Sequence, residues 1–346
     1  MFCNNMGNRD IDERNEENEM KIKLVYSNTK TYNGIKAYAT NLYEDMAGNM
    51  DVNTNVSFVP LPKLEVSLKG KKYGGWTSQR LMAWSVGKAD IVHSTSHWDL
   101  TPHTNIVTIH DLYPVTEREY FHTSERAMKF YMSTLKKVSE RCKFIVVQTK
   151  IIEEQVRRYI PDAHISVIPS KIFVNKPTDN PYPNDNKLHL ITMGEIHGNL
   201  PNRKQIYELY DWVKDLDNVD LYHIGRITDP KYINYAPNIH QLGSVSQQVK
   251  FNYMAYADKY VFKTLGEGQG YPVMEAMKLG TQVLINDLPE HRELLGDYPF
   301  YYHDKEEFIE KMWYSNKSAL DMKEQIMQYD NWIEKYKKVY DEVILR

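Results

Sequence analysis

Short apolar runs rich in β-branched residues recur along the chain, separated by longer segments with helical spacing. Six of these runs fall in the first half of the chain, at 21–27, 56–61, 90–95, 105–111, 143–149 and 164–170. Five more follow a break in the pattern, at 188–194, 219–225, 238–243, 259–265 and 282–287. Near-continuous apolar strands that alternate with helices are typical of parallel sheets covered on both faces. The pattern predicts an α/β fold.

A polar stretch, "NKPTDNPYPNDNK" at 175–187, divides the two series of strands. We therefore expect two doubly wound, Rossmann-like domains, 20–174 and 175–327, that face each other across a central cleft. The last segment is helical by periodicity and no strand follows it, so residues 328–346 are predicted to cross back to the first domain. In this architecture ligands bind at the carboxyl ends of the strands, and the loops after the strands carry the candidate chemistry.

Composition narrows the class of protein. Of the 346 residues, 42% are hydrophobic and 26% are charged, which is typical of a globular chain. No apolar run reaches the roughly 18 residues of a membrane span. With two cysteines, Cys3 and Cys142, a disulfide framework is not expected, and a reducing, cytoplasmic setting fits better.

Charge is concentrated at the N-terminus. Residues 1–19 hold six acidic residues and two arginines, and they are predicted to form a disordered acidic leader. Because the whole chain has a formal net charge of −3, the remainder is close to neutral at +1. This balance argues against a nucleic-acid binder with a large basic surface.

The most informative loop is "TLGEGQGYPVMEAMKLG" at 264–280, which follows a predicted strand. Three alternating glycines allow close approach of the backbone to a ligand, and they are Gly266, Gly268 and Gly270. Pro272 suits the first turn of the helix that comes next. Backbone N–H groups at a helix N-terminus favour a phosphate or diphosphate, so the sequence predicts an anion site here.

Two carboxylates, Glu267 and Glu275, bracket this predicted anion site. A carboxylate repels phosphate but accepts hydrogen bonds well from neighbouring hydroxyls. A nucleotide sugar offers two such sets, the ribose diol and the sugar ring, so each glutamate could hold one ring with the diphosphate between them. The alternative is a solvated helix face and an incidental acid on the loop.

The segment 262–297, "FKTLGEGQGYPVMEAMKLGTQVLINDLPEHRELLGD", resembles the signature of the retaining family 4 glycosyltransferases, which have the GT-B fold. The matching positions are Glu267, Glu275, Ala276, Met277, Gly280, Thr281, Val283, Pro289 and Glu290, with Gln282 where proline is usual. Weaker similarities lie at 33–42, 146–159, 167–173 and 238–262.

The resemblance implies transfer of a hexosyl-type sugar from a nucleotide-diphosphate sugar to a glycan, lipid or protein hydroxyl. It implies retention of configuration, with no metal and no cofactor besides the donor. It assigns Glu267 to the donor sugar and Glu275 to the ribose, and the glycine loop to the donor through Gly268, Gln269 and Gly270. The alternatives are a non-catalytic or degraded sugar-nucleotide binder of the same fold and a sugar-nucleotide epimerase.

Candidate residues in the first domain lie at strand ends. His110 and Asp111 end the fourth predicted strand, where the family has a histidine that bonds the donor sugar near the reacting carbon. His110 is therefore a catalytic candidate and Asp111 an acceptor-side candidate. His93 ends the preceding strand as an acceptor-site or packing residue. Gly34 follows the first strand, where it could approach the donor or form an ordinary turn.

The diphosphate also needs cations. The family has an arginine after a glycine, but this chain has Glu195 after Gly194. Lys204 matches the family's lysine, and the missing arginine could be replaced by Arg203, by Arg226 or by Lys263. We expect Lys204 and Arg203 to bind the donor; the alternative is that Glu195 marks a degraded donor site.

Two further features have ordinary explanations. Asp215 and Asp217 form an Asp-x-Asp pair that could bind a metal, but they lie in a polar turn between a helix and a strand. No Cys/His cluster has the spacing of zinc ligands. The basic and aromatic segment 62–80 could contact an anionic lipid surface, although a solvated loop is the default interpretation.

Overall fold

The computed structural model describes residues 19–28, 34–62, 65–68, 71–74, 81, 83–118, 121, 123–197, 203–315 and 318–346. The predicted acidic leader, apart from Glu19, lies outside these ranges. The predicted lipid contact depends on the side chains of residues 62–80, and these side chains also lie outside the described part of the structure. Within the described ranges, no helix is both long enough and apolar enough to cross a membrane.

The first sheet has six parallel strands, and each one falls on an apolar run predicted from the sequence. These strands are β1 (Met20–Asn28), β2 (Thr54–Pro62), β5 (Ile91–Ser94), β6 (Ile106–Thr108), β7 (Phe144–Val147) and β8 (Ile165–Val167), in the spatial order β2-β1-β5-β6-β7-β8. A separate antiparallel hairpin pairs β3 (Glu65–Leu68) with β4 (Lys71–Gly74). The sequence pattern does not predict this hairpin.

The second sheet also has six parallel strands. They are β9 (Leu188–Met193), β10 (Val219–Ile224), β11 (Ile239–Gly243), β12 (Lys259–Phe262), β13 (Gln282–Asn286) and β14 (Phe300–Tyr302), in the order β11-β10-β9-β12-β13-β14. The edge strand β14 was not predicted, because its Phe-Tyr-Tyr run contains no β-branched residue. Two parallel sheets joined by a polar segment confirm the predicted fold class.

Helices cover the faces of both sheets. Among the described residues of the first half of the chain they are α1 (Gly34–Asn49), α2 (Tyr113–Thr116), α3 (Glu125–Arg141) and α4 (Lys150–Arg157). In the second half they are α5 (Ile206–Val213), α6 (Gln247–Tyr256), α7 (Tyr271–Leu279), α8 (Pro289–Leu295), α9 (Lys305–Lys311), α10 (Ala319–Met327) and α11 (Trp332–Leu345), with a 3₁₀ turn at Pro230–Tyr232. Side-chain hydrogen bonds cap the N-termini of several helices. At α3 the Ser124 hydroxyl accepts from the Ala127 N–H.

The terminal helical segment is interrupted between α10 and α11. Periodicity predicts one continuous helical stretch, but Tyr329 donates its hydroxyl to the Leu294 carbonyl, and Asp330 pairs with Lys278 at 3.0 Å. These contacts hold the chain on the second domain before it crosses. Helix α11 then packs on the first sheet and α1, where its side chain Trp332 is fully buried.

Candidate active site

The glycine loop after β12 leads directly into α7. Gly270 has a left-handed backbone (φ +72°) and occupies the N-cap of the helix, a conformation that glycine adopts without strain. Helix α7 begins at Tyr271, so Pro272 lies in its first turn, as predicted. The positive end of the helix dipole is therefore at the tip of this loop.

The loop lies against the carboxyl ends of the first sheet. A Cβ atom added at Gly268 would be 2.4 Å from the His110 carbonyl oxygen, and one added at Gly266 would be 2.7 Å from the Tyr113 ring. The Tyr113 hydroxyl donates to the Glu267 carbonyl at 3.2 Å and also contacts the Glu290 carboxylate. The two domains thus meet at the loop that carries the first glutamate.

Gly268→Ala is expected to reduce transfer by about 10- to 100-fold, because the new methyl group would push the loop away from His110 and displace the site by a fraction of an ångström or more. Steady-state transfer rates would measure the effect. Gly48→Ala is the matched control, since a Cβ there meets no atom within 4 Å. Equal rates for both variants would contradict the close approach.

Glu267 is 7% exposed and lies between two cations. Its carboxylate is 3.4 Å from an Arg203 guanidinium nitrogen and 4.0 Å from the Lys204 amine. Burial alone would raise the pKa of Glu267, but Arg203 and Lys204 outweigh it, and its pKa lies below the ordinary value. The Oε1 atom is buried and has no hydrogen-bond partner among the described residues. Glu267 therefore presents a charged carboxylate whose Oε1, 4.0 Å from the Lys204 amine, can still accept a hydrogen bond.

Both cations are positioned by backbone pairing. Residues 203–205 run antiparallel to 263–265, with the Leu265 N–H donating to the Arg203 carbonyl at 3.0 Å and Lys204 bridging Thr264. Arg203 also pairs across the cleft with Asp111 at 3.5 Å. Arg203 consequently links Glu267 in the second domain to Asp111, which lies after β6 in the first domain.

The other two candidate substitutes for the missing arginine are engaged elsewhere. Arg226 pairs with Glu195 at 2.5 Å, and Lys263 pairs with Glu208 at 2.9 Å. The charge of Glu195 is thereby balanced by a neighbour. Of the three proposed substitutes, Arg203 is the one placed beside Glu267.

Glu275 lies one turn into α7 and is 8% exposed. Its carboxylate accepts from Lys250 of α6 at 2.8 Å. Burial raises the pKa of Glu275 above its ordinary value, and Lys250 offsets this only in part. The sequence analysis missed Lys250, because no spacing relates a lysine on one helix to a glutamate on the next.

His110 is held in one tautomer. Its Nε2 is 2.8 Å from the Thr95 carbonyl oxygen, which can only accept, so Nε2 carries the proton. Burial lowers the pKa of His110 below its ordinary value, although the Thr95 carbonyl and Asp111 act in the opposite direction. The neutral ring leaves Nδ1 as a hydrogen-bond acceptor.

Two other residues predicted to bind the donor are Gln269 and Gly34. Gln269 was predicted to bind the donor, but its amide accepts from the Ser170 N–H at 3.1 Å and donates to the Ser170 carbonyl at 2.9 Å. This side chain anchors the loop to the segment between the domains, and the assignment of Gln269 to the donor stays a prediction. Gly34 begins α1, and a Cβ there would meet no atom of the described residues within 4 Å, so its approach to the donor stays a prediction.

His93 is completely buried, which favours the packing alternative. Its Nδ1 is 2.8 Å from the Tyr340 hydroxyl of α11, and its Nε2 is 2.8 Å from the Thr108 hydroxyl. Burial, with a contribution from His110, lowers the pKa of His93 to about 3, so the ring is neutral. His93 thus helps to attach the terminal helix to the first sheet.

Tyr340→Phe is expected to lower the free energy of unfolding by about 1–3 kcal/mol, because it leaves a buried His93 nitrogen without a partner. Urea denaturation would measure the change. Tyr235→Phe is the control, since Tyr235 is 88% exposed and its hydroxyl should contribute little. A Tyr340→Phe variant as stable as this control would show that the His93 contact is unimportant.

Two Rossmann-like domains facing a cleft, with a glycine loop and helix N-terminus at their junction, form the architecture of the GT-B glycosyltransferases. Residues 189–314 match the family described as glycosyl transferases group 1. The chain is 24% identical over 277 residues to the O-antigen chain mannosyltransferase RfbU of Salmonella typhimurium, an alignment that covers 76% of this chain and 74% of that protein.

Solved structures show the same fold. Sucrose-phosphate synthase from Thermosynechococcus elongatus superposes with a TM-score of 0.71 at 13% identity, covering 94% of this chain and 100% of that chain. HepE from Anabaena, determined with UDP and glucose, gives a TM-score of 0.66 at 12% identity, covering 93% and 99%. The GT-B fold and the resemblance to the glycosyltransferases are confirmed, and the matches support a glycosyl transfer function.

Proposed function

We propose that the chain is a retaining glycosyltransferase that moves a sugar from a nucleotide-diphosphate donor to an acceptor hydroxyl without a metal ion. The observation that carries this proposal is the Glu267 carboxylate. It is buried, ionised and flanked by Arg203 and Lys204, and its Oε1 has no hydrogen-bond partner among the described residues. A buried, unused acceptor of this kind fits a sugar hydroxyl.

The donor would lie along the glycine loop and α7. Glu267 would accept hydrogen bonds from hydroxyls of the donor sugar, and Glu275 from the ribose diol. The diphosphate would lie between them at the helix N-terminus, where the dipole favours negative charge. Arg203 would then exchange part of its contact with Glu267 for the diphosphate.

Catalysis would come mainly from stabilising the leaving diphosphate. Lys204, Arg203 and the helix N-terminus form a preorganised positive field where negative charge develops, and this is commonly the largest catalytic contribution. The acceptor would attack from the face on which the diphosphate leaves, with a phosphate oxygen taking its proton. His110 Nδ1 could accept from a donor-sugar hydroxyl. Closure of the domains would exclude water and limit hydrolysis.

A screen of nucleotide-diphosphate sugars by thermal shift, followed by turnover of each hit with EDTA present, tests the proposal. Sugars of uridine diphosphate are the first choice, since the HepE structure contains UDP and glucose. The anomeric configuration of the product, read by NMR, should match that of the donor. Inverted product would refute the mechanism. Binding without turnover would favour the non-catalytic binder, and donor isomerisation without an acceptor would favour an epimerase.

The affinity for nucleotide should fall as pH decreases, because a protonated Glu275 loses its charge and is a weaker acceptor for the ribose hydroxyls. As its pKa is raised, the midpoint should lie above the ordinary glutamate value of about 4.3. Lys250→Met removes the neighbouring cation and should move the midpoint further up. Calorimetric titration across this pH range would measure both midpoints.

Lys278→Met provides the control for this pH effect. Lys278 lies on the same helix but pairs with Asp330 at 3.0 Å, so its removal should leave the midpoint unchanged. If Lys250→Met and Lys278→Met gave the same midpoint as the parent, Glu275 would not be the titrating group.

A further inference from the structure

A cluster of two histidines and two aspartates lies at the edge of the second sheet opposite the glycine loop. His189, Asp220 and His240 are the second residues of β9, β10 and β11, and Asp185 lies just before β9. The parallel register places His189 beside Asp220, and Tyr222 of the same strand beside His240. Since the amino ends of parallel strands meet at one edge, the four side chains converge away from the cleft.

The distances within the cluster are short. His189 Nε2 is 3.2 Å from an Asp185 carboxylate oxygen, and His240 Nε2 is 3.7 Å from an Asp220 carboxylate oxygen. Ligand atoms of Asp185, His189 and Asp220 all lie within 4.8 Å of one another. Three ligand atoms, from one imidazole and two carboxylates, are therefore mutually close, and His240 contacts one of these carboxylates, that of Asp220.

Two buried nitrogens in the cluster are unsatisfied. The Nε2 atoms of His189 and His240 are inaccessible to solvent and make no hydrogen bond among the described residues, despite the nearby carboxylates. The His189 side chain is only 9% exposed, so it cannot turn to water for a partner. A buried polar atom without a partner typically costs about 1–3 kcal/mol, which a bound ligand would remove.

Both rings are held in these orientations by aromatic neighbours. Tyr182 stacks on His189 with ring centroids 4.8 Å apart, and Tyr222 stacks on His240 at 4.4 Å. The His189 backbone N–H also donates to the Asp258 carboxylate at 2.8 Å. Stacking on the ring faces thus restricts the two imidazoles to the orientations in which their Nε2 atoms lie near the carboxylates.

The chemistry of this donor set suits zinc. In a tetrahedral Zn²⁺ site with bonds of about 2.0–2.1 Å, adjacent ligand atoms are about 3.3 Å apart, close to the 3.2 Å between His189 Nε2 and the Asp185 carboxylate. We propose that Asp185, His189 and Asp220 bind a Zn²⁺ ion, with His240 as the outer-shell partner of Asp220. The ion would tie the segment between the domains to β9 and β10. It would have no part in glycosyl transfer.

One cation already competes for the cluster. The Lys187 amine is 3.0 Å from the same Asp220 oxygen that faces His240. Zn²⁺ would displace this ammonium group, whose side chain is 40% exposed and can move into solvent. Replacing Lys187 should therefore strengthen zinc binding. If the cluster were only a set of ion pairs, the same replacement would remove a stabilising contact.

The experiment is a titration of Zn²⁺ into tag-free, chelator-treated protein, with a chromophoric chelator as competitor. We expect one tightly bound ion per chain and, with Co²⁺ as the probe, the visible absorption of a tetrahedral site. Asp185→Asn should weaken binding by at least about 100-fold, and His240→Ala by about 10- to 100-fold, the range usual for the loss of an outer-shell partner. Lys187→Met should bind more tightly than the parent.

A second histidine–carboxylate cluster provides the control. His303 is 3.5 Å from Asp287 and 3.2 Å from Glu307 but is 66% exposed, so His303→Ala should leave zinc binding unchanged. His189→Ala alone would not be decisive, because this buried ring also contributes to packing. Absence of a tight site in the parent, or equal affinities for the parent, His240→Ala and Asp185→Asn, would overturn the proposal.

Discussion

Glu267→Gln is expected to lower kcat for sugar transfer by about 100- to 1,000-fold, the range found when one electrostatic contact to a reacting group is removed. The amide keeps the shape of the side chain but loses the charge that would hold the donor sugar. Affinity for the free nucleotide should change little, because that contact is assigned to Glu275. Steady-state kinetics and nucleotide titration of the same preparation would measure both quantities.

Glu307→Gln is the matched control for this substitution. Glu307 lies in the same domain, pairs with Lys311 at 2.8 Å and is outside the cleft, so transfer should be unaffected. A thermal unfolding curve for each variant would confirm that the fold is intact. If both variants transferred sugar at the parental rate, the assignment of Glu267 would be wrong.

Lys204→Met is expected to lower kcat by a similar factor of about 100 to 1,000, because the departing diphosphate would lose a preorganised positive charge. Binding of the donor should weaken less than the rate, since Arg203 and the N-terminus of α7 remain. The Lys204 amine is 4.0 Å from Glu267, so its charge is placed beside the sugar-binding carboxylate. Single-turnover transfer rates would isolate the chemical step.

Lys263→Met tests whether this effect belongs to one lysine. Lys263 is a similarly buried lysine a few residues from the same loop, but it pairs with Glu208 at 2.9 Å. Its replacement should leave the rate nearly unchanged. Equal losses in the two variants would indicate a general electrostatic effect and contradict the specific role of Lys204.

The fold could be predicted because its strands are buried on both faces. Every apolar run identified as a strand forms one, and the helix at Pro272 begins where proline and glycine favour it. Strand β14 was not recognised, because its Phe-Tyr-Tyr run contains no β-branched residue. The break before Trp332 depends on contacts of Tyr329 and Asp330 with distant residues, which periodicity cannot represent.

The residues of the candidate site that lie at strand ends or on the glycine loop could be predicted from the sequence. Glu267, Lys204 and His110 come together because the carboxyl ends of two parallel sheets face one cleft. The partners Lys250 and Tyr113 were missed, since they come from other elements with no sequence relation to the glutamates. The orientation of Gln269 was also beyond prediction, because it depends on the backbone of Ser170.

The proposed zinc cluster illustrates the same limit. Spacing rules look for closely placed cysteines and histidines, and this chain has none with zinc spacing. The cluster instead combines Asp185 and His189, four positions apart, with single residues from two later strands. Their proximity follows from the strand order β11-β10-β9, which the sequence pattern does not supply.

The central claim is that two carboxylates hold different rings of one nucleotide sugar. Calorimetric titration of Glu267→Gln and Glu275→Gln with the nucleotide diphosphate, and then with its sugar, tests this directly. We predict that Glu275→Gln weakens binding of both ligands, whereas Glu267→Gln weakens binding of the nucleotide sugar alone. Identical profiles for the two variants, or parental affinities in both, would contradict the account.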